Sequence, residues 1–366
     1  MTNRVYMDYN ATAKIRPEVI EAHSATMGEV GNASSIHASG RAARSKVEVA
    51  RKQVAELVGA DPEQIIFTSG GTEANNQILG SCDPTRSFVS AIEHPAVMDA
   101  CPNGTRFPVN NSGVVDLVAL EKLLATTEKP EFVGLMLANN ETGVLQPIKE
   151  AVNLCKRYGA RVHCDAVQAV GKIEVNFSNL GVETMAITAH KFGGPQGIGA
   201  LIVRSTESAN CMIRGGGQEQ GLRGGTENVA NIVAFGIAAE IAKKHLKEYE
   251  KLSILRDYLE TTILNSTPGA KVFGRSAARL PNTSKLMMPG VNSEIQVMSF
   301  DLAGIEVSAG SACAAGRIEP PYVLKAMGVI NTEALCALRV SLGWDTNSRD
   351  IDQFIHEWNK IFQRVG

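Results

Sequence analysis

The chain has 366 residues, of which 44% are hydrophobic and 20% charged, so it is long enough to bury a large core and to divide into two domains. Its formal net charge of −2 gives no basic surface for nucleic acid, which argues against that class of partner. No apolar run approaches the roughly 18 residues of a membrane span, and the N-terminus Met-Thr-Asn-Arg lacks the apolar core of a signal peptide. The seven cysteines, an odd number, predict free thiols in a reducing compartment, and we expect the cytoplasm.

Helical and strand-like segments alternate along the first part of the chain. Residues 17–28 and 41–58 are predicted helices, the second because its apolar residues recur near helical spacing. Short apolar runs further along the chain are predicted strands, at 88–91, 132–137 and 162–164. This alternation predicts an α/β domain with a mostly parallel sheet, in which ligands bind beyond the carboxyl ends of the strands. The stretch 232–264 is helix-prone with a break, and we expect it to lead into a smaller C-terminal domain.

Residues 65–76 have the pattern of a strand, a glycine turn and the start of a helix. Free backbone N–H groups at that start, with the Thr72 hydroxyl beside Gly71, are suited to receive a phosphate. No Walker lysine follows the turn and no Gly-x-Gly-x-x-Gly follows an early strand, which argues against P-loop and dinucleotide sites. A glycine turn before a helix is also common without any ligand.

The segment 163–168 is predicted to be the end of a buried strand and the loop after it. A pyridine cofactor requires a carboxylate beside its ring nitrogen, and Asp165 suits that role. Gln168 is placed to donate to the phenolic oxygen of the same ring. A metal site at His163, Cys164 and Asp165 is the weaker hypothesis, because adjacent strand residues point to opposite faces.

Lys191 follows an apolar segment and precedes four glycines within the run 193–199. A lysine amine that is stripped of water and has basic neighbours has a depressed pKa and forms Schiff bases with aldehydes, which suits pyridoxal phosphate (PLP). Glycines allow the backbone to approach such a cofactor closely. The segment alone is equally typical of a lysine in a glycine-rich surface turn.

In order along the chain, these three motifs resemble those of fold-type I PLP enzymes. Further segments resemble the cysteine desulfurases over nearly the whole chain, at 6–13, 31–35, 93–97, 139–143, 223–228 and 308–313. The resemblance implies an α/β fold-type I PLP-dependent transferase: a large domain with a mostly parallel seven-stranded sheet, and a smaller α/β C-terminal domain. It places the large PLP-binding domain at 14–250 and the small domain at 1–13 and 251–366.

The same resemblance implies a role for each matching residue, with PLP as cofactor and no metal. The implied catalytic residues are Lys191, Cys313 and His94. Cofactor binding is implied for Gly71, Thr72, Asp165, Gln168, Thr188, His190 and Lys191, and for Thr226 toward the cofactor of a partner subunit, which predicts a homodimer. The implied substrate-carboxylate ligands are Asn140 and Arg339. Arg339 is also expected on physical grounds to pair with a carboxylate, because it lies in an apolar strand-like run; the alternative is an arginine that extends to solvent.

Cys313 decides the chemistry, because desulfuration requires a thiolate that accepts sulfur from the substrate. Its small, glycine-bearing neighbours predict a mobile loop. The surrounding pattern resembles the long-loop group of nitrogen-fixation and iron–sulfur assembly desulfurases, although Ala314 and Ala315 depart from it. The remaining cysteines are predicted to be small buried hydrophobes, namely Cys82, Cys101, Cys155, Cys164, Cys211 and Cys336.

The expected reaction converts L-cysteine to L-alanine and leaves a persulfide on Cys313. An acceptor protein would then take the sulfur, either an iron–sulfur scaffold or a thiolation enzyme. Two alternatives stay open from the sequence: a selenocysteine lyase, and a docking subunit of a sulfur-transfer complex.

Overall fold

A computed structural model describes residues 4–310 and 319–365; Cys313 therefore lies outside the described residues. The strands are β1 Val5–Tyr6, β2 Ile65–Thr68, β3 Ser87–Ser90, β4 Thr105–Phe107, β5 Phe132–Gly134, β6 Arg161–Asp165, β7 Thr184–Thr188, β8 Gly199–Val203, β9 Lys271–Phe273, β10 Thr283–Met287, β11 Ile305–Glu306 and β12 Ala337–Ser341. The α-helices are α1 Pro17–Met27, α2 Ala38–Val58, α3 Gly71–Leu79, α4 Pro95–Met98, α5 Leu117–Thr126, α6 Ile148–Arg157, α7 Phe177–Leu180, α8 Val229–Lys244, α9 Leu246–Glu250, α10 Leu252–Ser266, α11 Ser293–Leu302, α12 Tyr322–Ala326, α13 Asn331–Ala334 and α14 Ser348–Val365.

The main sheet has seven strands in the order β2-β8-β7-β6-β5-β3-β4. The pairings are parallel except for those of β8, which is antiparallel to both β2 and β7. Every residue of β2, β3, β7 and β8 is buried, as expected for a sheet covered by helices on both faces. The predicted α/β fold with a mostly parallel seven-stranded sheet is thereby confirmed.

Two helix predictions differ from the structure at their ends. The second helix begins at Ala38 rather than 41, because the ring of His37 accepts a hydrogen bond from the Gly40 N–H and caps the helix start. The stretch 232–264 contains three helices, α8, α9 and α10, which are interrupted at His245 and Lys251. The expected break is therefore present, but the stretch has two interruptions where one was predicted.

A second layer is built from both ends of the chain. Strand β1 pairs in parallel with β11, while β12, β10 and β9 form an antiparallel sheet. Val5 and Met7 lie in one hydrophobic cluster with buried residues between Leu252 and Ile361, separate from the cluster around the main sheet. The division of the chain into 1–13 with 251–366 and 14–250 stays a prediction that agrees with this clustering.

The carboxyl edge of the parallel strands collects the polar residues. β6 ends at Asp165, and short connections lead from β2 to Gly71, from β3 to His94 and from β7 to Lys191. Parallel strands place these ends at one edge of the sheet, so residues distant in sequence meet there. In the described part of the chain, no helix is both long and apolar enough to cross a membrane.

Candidate active site

A cavity of about 240 Å³ lies at the carboxyl edge of the main sheet. Its lining brings together most of the predicted site residues, namely Gly71, Thr72, His94, Asn140, Asp165, Gln168, Thr188, His190 and Lys191. Five further residues complete the lining: Asn75, Ala96, Met136, Ala138 and Val167. Two predicted residues within the described ranges, Thr226 and Arg339, do not line it, and Cys313 lies outside the described residues.

Lys191 closes a short 3-10 turn directly after β7, and its amine faces the cavity. Nζ donates to the carbonyl of Asn10 at 2.7 Å and to that of Ala11 at 2.8 Å. Neither acceptor is a carboxylate, so the amine has no anionic partner at hydrogen-bond distance among the described residues. Burial, and then the charge of Arg339, lower the pKa of Lys191 to about 8. The amine is consequently available in its neutral, nucleophilic form near physiological pH.

At two positions after Lys191 the backbone geometry requires glycine. Gly193 has φ +93°, in the left-handed region that favours glycine. A Cβ on Gly194 would lie 2.6 Å from the Cβ of Ala189, at the start of the Lys191 turn. These two positions therefore shape the turn, and the surface-turn interpretation of the lysine does not describe its surroundings.

Asp165, at the end of β6, is buried and held by two donors. Its carboxylate accepts from the Nδ2 of Asn75 at 2.8 Å and from the backbone N–H of Val167 at 3.0 Å. Because a carboxylate only accepts, Asn75 must turn its amide nitrogen toward Asp165 and its oxygen away. That oxygen faces Nε2 of His163 at 2.8 Å.

His163 belongs to this hydrogen-bond network. Its Nδ1 lies 2.8 Å from the hydroxyl of Thr184, and burial lowers its pKa to about 3, so the ring is neutral. The orientation of Asn75 then places the ring proton on Nε2 and lets Nδ1 accept from Thr184. In the described part of the chain, no cluster of His, Cys, Asp and Glu could hold a metal ion.

Gln168 lies one turn beyond Asp165. Its Nε2 donates to the carbonyl of Asn10 at 2.9 Å, and its Oε1 accepts from the amine of Lys172 at 2.7 Å. A carboxamide has two N–H donors, so one N–H remains for a group in the cavity. The structure thus leaves Gln168 the donor that the sequence assigned to it.

His94 caps the short helix α4. Its Nδ1 accepts from the backbone N–H of Ala96 at 3.1 Å, so a neutral ring carries its proton on Nε2. The ring is exposed at the cavity, where partial desolvation and then the charge of Lys191 lower the pKa of His94 below its usual value. His94 is therefore a neutral imidazole near physiological pH.

The residue before His94 is a fully buried carboxyl group. One oxygen of Glu93 accepts from the Ser90 hydroxyl at 2.5 Å and from the Met136 N–H at 2.8 Å. The other oxygen is buried, and within the described residues nothing hydrogen-bonds to it. Burial raises the pKa of Glu93 to about 8, so this side chain is a neutral acid over most of the physiological range.

The start of α3 supplies the predicted phosphate turn. A Cβ on Gly71 would lie 2.7 Å from Cγ2 of Val167, which also lines the cavity, so glycine lets the helix start approach the Asp165 loop. The Thr72 side chain is exposed beside it. The N–H groups at the first turn of this nine-residue helix have no partner within the helix, and a helix start of this kind is suited to bind an anion.

Thr188 and His190 line the same cavity from the end of β7. The Thr188 hydroxyl donates to the carbonyl of Ile198 at 3.0 Å, which leaves its oxygen as an acceptor. His190 Nδ1 lies 3.2 Å from the Thr12 hydroxyl, and burial lowers the pKa of His190 to about 4. His190 is therefore a neutral ring.

Arg339 lies beside the cavity, in β12, and it is buried. Its guanidinium pairs with Asp8 at 2.6 Å and donates to the carbonyl of Asn140 at 3.2 Å. Asp8 thus gives Arg339 a carboxylate partner within the chain and the solvent-extended alternative is wrong, while the role of Arg339 toward a substrate carboxylate stays a prediction. Nε of Arg339 and Oδ1 of Asn140 are buried, and neither has a hydrogen-bond partner within the described residues.

Thr226 lies on an exposed loop and lines a separate cavity with Arg223 and Glu227. Within its own chain it does not approach Lys191. The cysteines follow their prediction in part: Cys101, Cys155, Cys164 and Cys336 are buried, but Cys82 and Cys211 are partly exposed. The prediction that all six are buried is wrong for those two because each lies in a surface connection, Cys82 after α3 and Cys211 after β8.

Two residues of the site were missed from the sequence. Asn75 is the fifth residue of α3, one turn after Gly71, and that helical spacing is the signal that places it on the cavity face. Asn10 is only 1% exposed, and its carbonyl accepts from both Lys191 and Gln168. No local sequence pattern identifies Asn10, because its partners are far away along the chain.

The residues of the cavity fit PLP. An amine held only by carbonyls, a carboxylate in the same cavity, a helix start and a buried, unpartnered amide oxygen on Asn140 supply the donors and acceptors that PLP and a bound amino acid require. Each of these groups is contributed by a different element.

Comparison with known proteins gives consistent matches over the whole fold. The family model described as aminotransferase class-V matches residues 5–354. The cysteine desulfurase IscS of Dictyoglomus turgidum is 38% identical, covering 100% of this chain and 96% of its own, and a cysteine desulfurase of Cereibacter sphaeroides is 41% identical, covering 96% and 94%. A NifS-like protein from Rickettsia africae has a solved structure with a TM-score of 0.92 at 38% identity, covering 99% of this chain and 100% of its own. These matches include every element that lines the cavity.

Proposed function

The chain belongs to the aminotransferase class-V family and, within it, to the cysteine desulfurases, and we propose that it converts L-cysteine to L-alanine at the cavity around Lys191. The observation that carries the proposal is the Lys191 amine itself. It is held by two carbonyls, its pKa is about 8, and the Asp165 carboxylate lines the same cavity.

The proposed cofactor is PLP, bound to Lys191. PLP supplies an aldehyde that captures amines and a ring that withdraws electrons from the bound amino acid. Asp165 would hold the ring nitrogen, and Gln168 would donate to the ring oxygen. The α3 start at Gly71 and Thr72, with His190, would hold the phosphate, and the Thr188 hydroxyl would join them by turning its proton from the Ile198 carbonyl to the phosphate.

The remaining residues bind the substrate and move protons. The unpartnered Oδ1 of Asn140 and Nε of Arg339 lie buried beside the cavity, where the substrate amino acid would place its polar groups. A released Lys191 amine, with its pKa of about 8, is matched to take a proton from a substrate carbon and return one near neutral pH. The neutral His94 ring offers its Nε2 proton at the same cavity.

Cys313 is proposed to receive the sulfur. Its thiolate attacks the substrate Sγ, a sulfur–sulfur bond forms, and the carbon–sulfur bond breaks with its electron pair moving to the substrate carbon. That carbon takes a proton and leaves as part of L-alanine, while Cys313 keeps the sulfur as a persulfide. The carbon is reduced and the sulfur oxidised, so the reaction needs no external redox reagent.

We further propose a homodimer, in which the exposed Thr226 contacts the phosphate bound by the partner subunit. An acceptor protein of iron–sulfur assembly or thiolation would then remove the persulfide sulfur. The cytoplasm is the proposed compartment, supported by the unpaired state of the six cysteines in the described ranges.

The test is turnover of L-cysteine by the PLP-loaded protein, measured as L-alanine formed. We expect Lys191→Ala to lose turnover while Lys46→Ala, a change at a lysine of α2 remote from the cavity, keeps it. Wild-type protein that binds PLP but forms no alanine would contradict the proposal. Turnover of L-selenocysteine alone would instead identify a selenocysteine lyase.

A further inference from the structure

Lys172 is a buried lysine without an ion pair. Its side chain is fully buried, and in the part of the chain that the structure describes it forms no salt bridge. Nζ donates instead to two amide oxygens, Oδ1 of Asn10 at 2.7 Å and Oε1 of Gln168 at 2.7 Å. Burying an amine among neutral groups is costly, so this contact calls for a specific reason.

The turn that carries Lys172 is fitted against the Lys191 segment. Val170 and Ile173 form a bridge across the turn, and Gly171 has the left-handed φ of +78°. A Cβ on Gly171 would lie 2.5 Å from the Cβ of Phe192, the residue after Lys191. Only glycine permits this close approach of the turn to Phe192. The turn holds Lys172 within hydrogen-bond distance of Asn10 and of the cavity residue Gln168.

The chemistry of an amine fixes the orientation of both amides it contacts. A lysine donates hydrogen bonds and, when charged, accepts none. Gln168 must therefore present its oxygen to Lys172, which leaves its Nε2 on the other side, toward the Asn10 carbonyl at 2.9 Å and the cavity. With Lys172 absent, the hydrogen bond to the Asn10 carbonyl alone would oppose a half-turn of the Gln168 amide, which would present an acceptor to the cavity.

We propose that Lys172 is a positioning residue that fixes the Gln168 amide with its N–H groups, and not its oxygen, toward the cofactor oxygen. The inference rests on the proposed function, because it assumes that Gln168 contacts a PLP oxygen. Lys172 itself does not touch the cofactor in this account.

The competing explanation is that Lys172 acts on the cofactor through its positive charge and not through the orientation of Gln168. Burial, followed by the nearby charges of Lys191 and Arg339, lowers the pKa of Lys172 well below its usual value. A neutral amine still has two N–H donors, and Lys172 has two acceptors. A neutral Lys172 therefore still favours the observed orientation by donating to Gln168 Oε1, although its lone pair no longer forbids the reversed amide as a charged amine would.

The experiment is a double-mutant cycle read on the pH titration of the visible absorption of the PLP-loaded protein, with no turnover involved. A donor to the cofactor oxygen favours its anionic form, so Gln168→Leu should raise the apparent pKa by about one pH unit, the equivalent of one hydrogen bond. Lys172→Met should produce a rise of the same order. The double variant, with Lys172→Met added to Gln168→Leu, should have the same apparent pKa as Gln168→Leu alone.

Three results would overturn the inference: no shift with Lys172→Met, a full additional shift in the double variant, or the same shift with Lys285→Met. Lys285 is the matched control, since it is equally buried but pairs with Glu141 at 3.1 Å and does not contact Gln168. Lys172→Gln, which keeps a buried donor, is carried through the same cycle in case the methionine variant fails to fold. Wild-type protein that forms no visible band with PLP contradicts the proposed function itself, and the inference falls with it.

Discussion

The amide of Asn75 donates a 2.8 Å hydrogen bond to the carboxylate of Asp165, and its oxygen faces the ring of His163 at the same distance. A chain of buried hydrogen bonds thus runs from Thr184 through His163 and Asn75 to the proposed cofactor carboxylate. Each member fixes the orientation of the next, so the position of Asp165 depends on residues behind the cavity.

Replacing Asn75 tests this chain. Asn75→Leu leaves the Nε2 proton of His163 and one oxygen of Asp165 buried without a partner, so the variant should lose about 1–3 kcal/mol of stability. Its affinity for PLP should fall by about tenfold or more. Asn76→Leu is the control, because Asn76 is the next residue of α3 and its amide, within the described ranges, donates to the carbonyls of Thr72 and Ala96 and not to Asp165. Equal losses in both variants would show that Asn75 has no special role.

Replacing Asp165 tests the carboxylate itself. Asp165→Asn preserves the volume and can still accept from Asn75, at the loss of the hydrogen bond from the Val167 N–H, so the protein should fold and bind PLP with a modest loss of stability. Turnover of L-cysteine should fall by about 10²-fold or more, because an amide does not stabilise a protonated ring nitrogen. Activity near that of the wild type would place the ring carboxylate elsewhere.

The pKa of Lys191 predicts a pH dependence for PLP capture by the apoprotein. Only the neutral amine attacks an aldehyde, so the rate should rise by about tenfold per pH unit below the pKa and level off above it. The plateau should begin near pH 8, the pKa of Lys191. Stopped-flow absorbance measures this rate; an increase that continues to about pH 10 would mean an ordinary, solvated lysine.

Glu93 predicts a pH dependence of stability. Its folded-state pKa, about 8, lies above the unfolded value, so between these two values the folded state holds a proton that the unfolded state has lost. The stability that Glu93 contributes is complete below the unfolded pKa, falls by up to about 1.4 kcal/mol per pH unit as pH rises, and levels off above the folded pKa.

Urea unfolding of the wild-type protein and of Glu93→Gln at several pH values measures the pH dependence of stability that Glu93 causes. The stability of the variant relative to the wild type should increase between about pH 5 and pH 8. Glu174→Gln, at an exposed carboxylate, should show no such trend. Parallel curves for the wild type and Glu93→Gln would mean that Glu93 is ionised in the folded protein.

Local signals predicted the elements and three parts of the cavity because their causes are local, whereas the roles of His94, Asn140, Thr188 and His190 came from the family resemblance. The turn at Gly71, the strand end at Asp165 and the glycines after Lys191 each follow from the steric properties of adjacent residues. Asn10 and Lys172 could not be found this way, since their partners lie far along the chain or are brought to them only by the tertiary fold, as Lys191 is to Asn10. The burial of Glu93 is likewise a property of the assembled sheet, and a Glu-His pair in a sequence shows no sign of it.

The measurement that tests the account most directly is the position of sulfur after reaction. Wild-type PLP-loaded protein mixed with L-cysteine, digested and analysed by mass spectrometry, should carry one additional sulfur atom on the Cys313 peptide, with one alanine formed for each. Cys313→Ser should bind PLP and respond spectrally to L-cysteine but form neither product. Additional sulfur on another cysteine, or undiminished alanine from Cys313→Ser, would contradict the account.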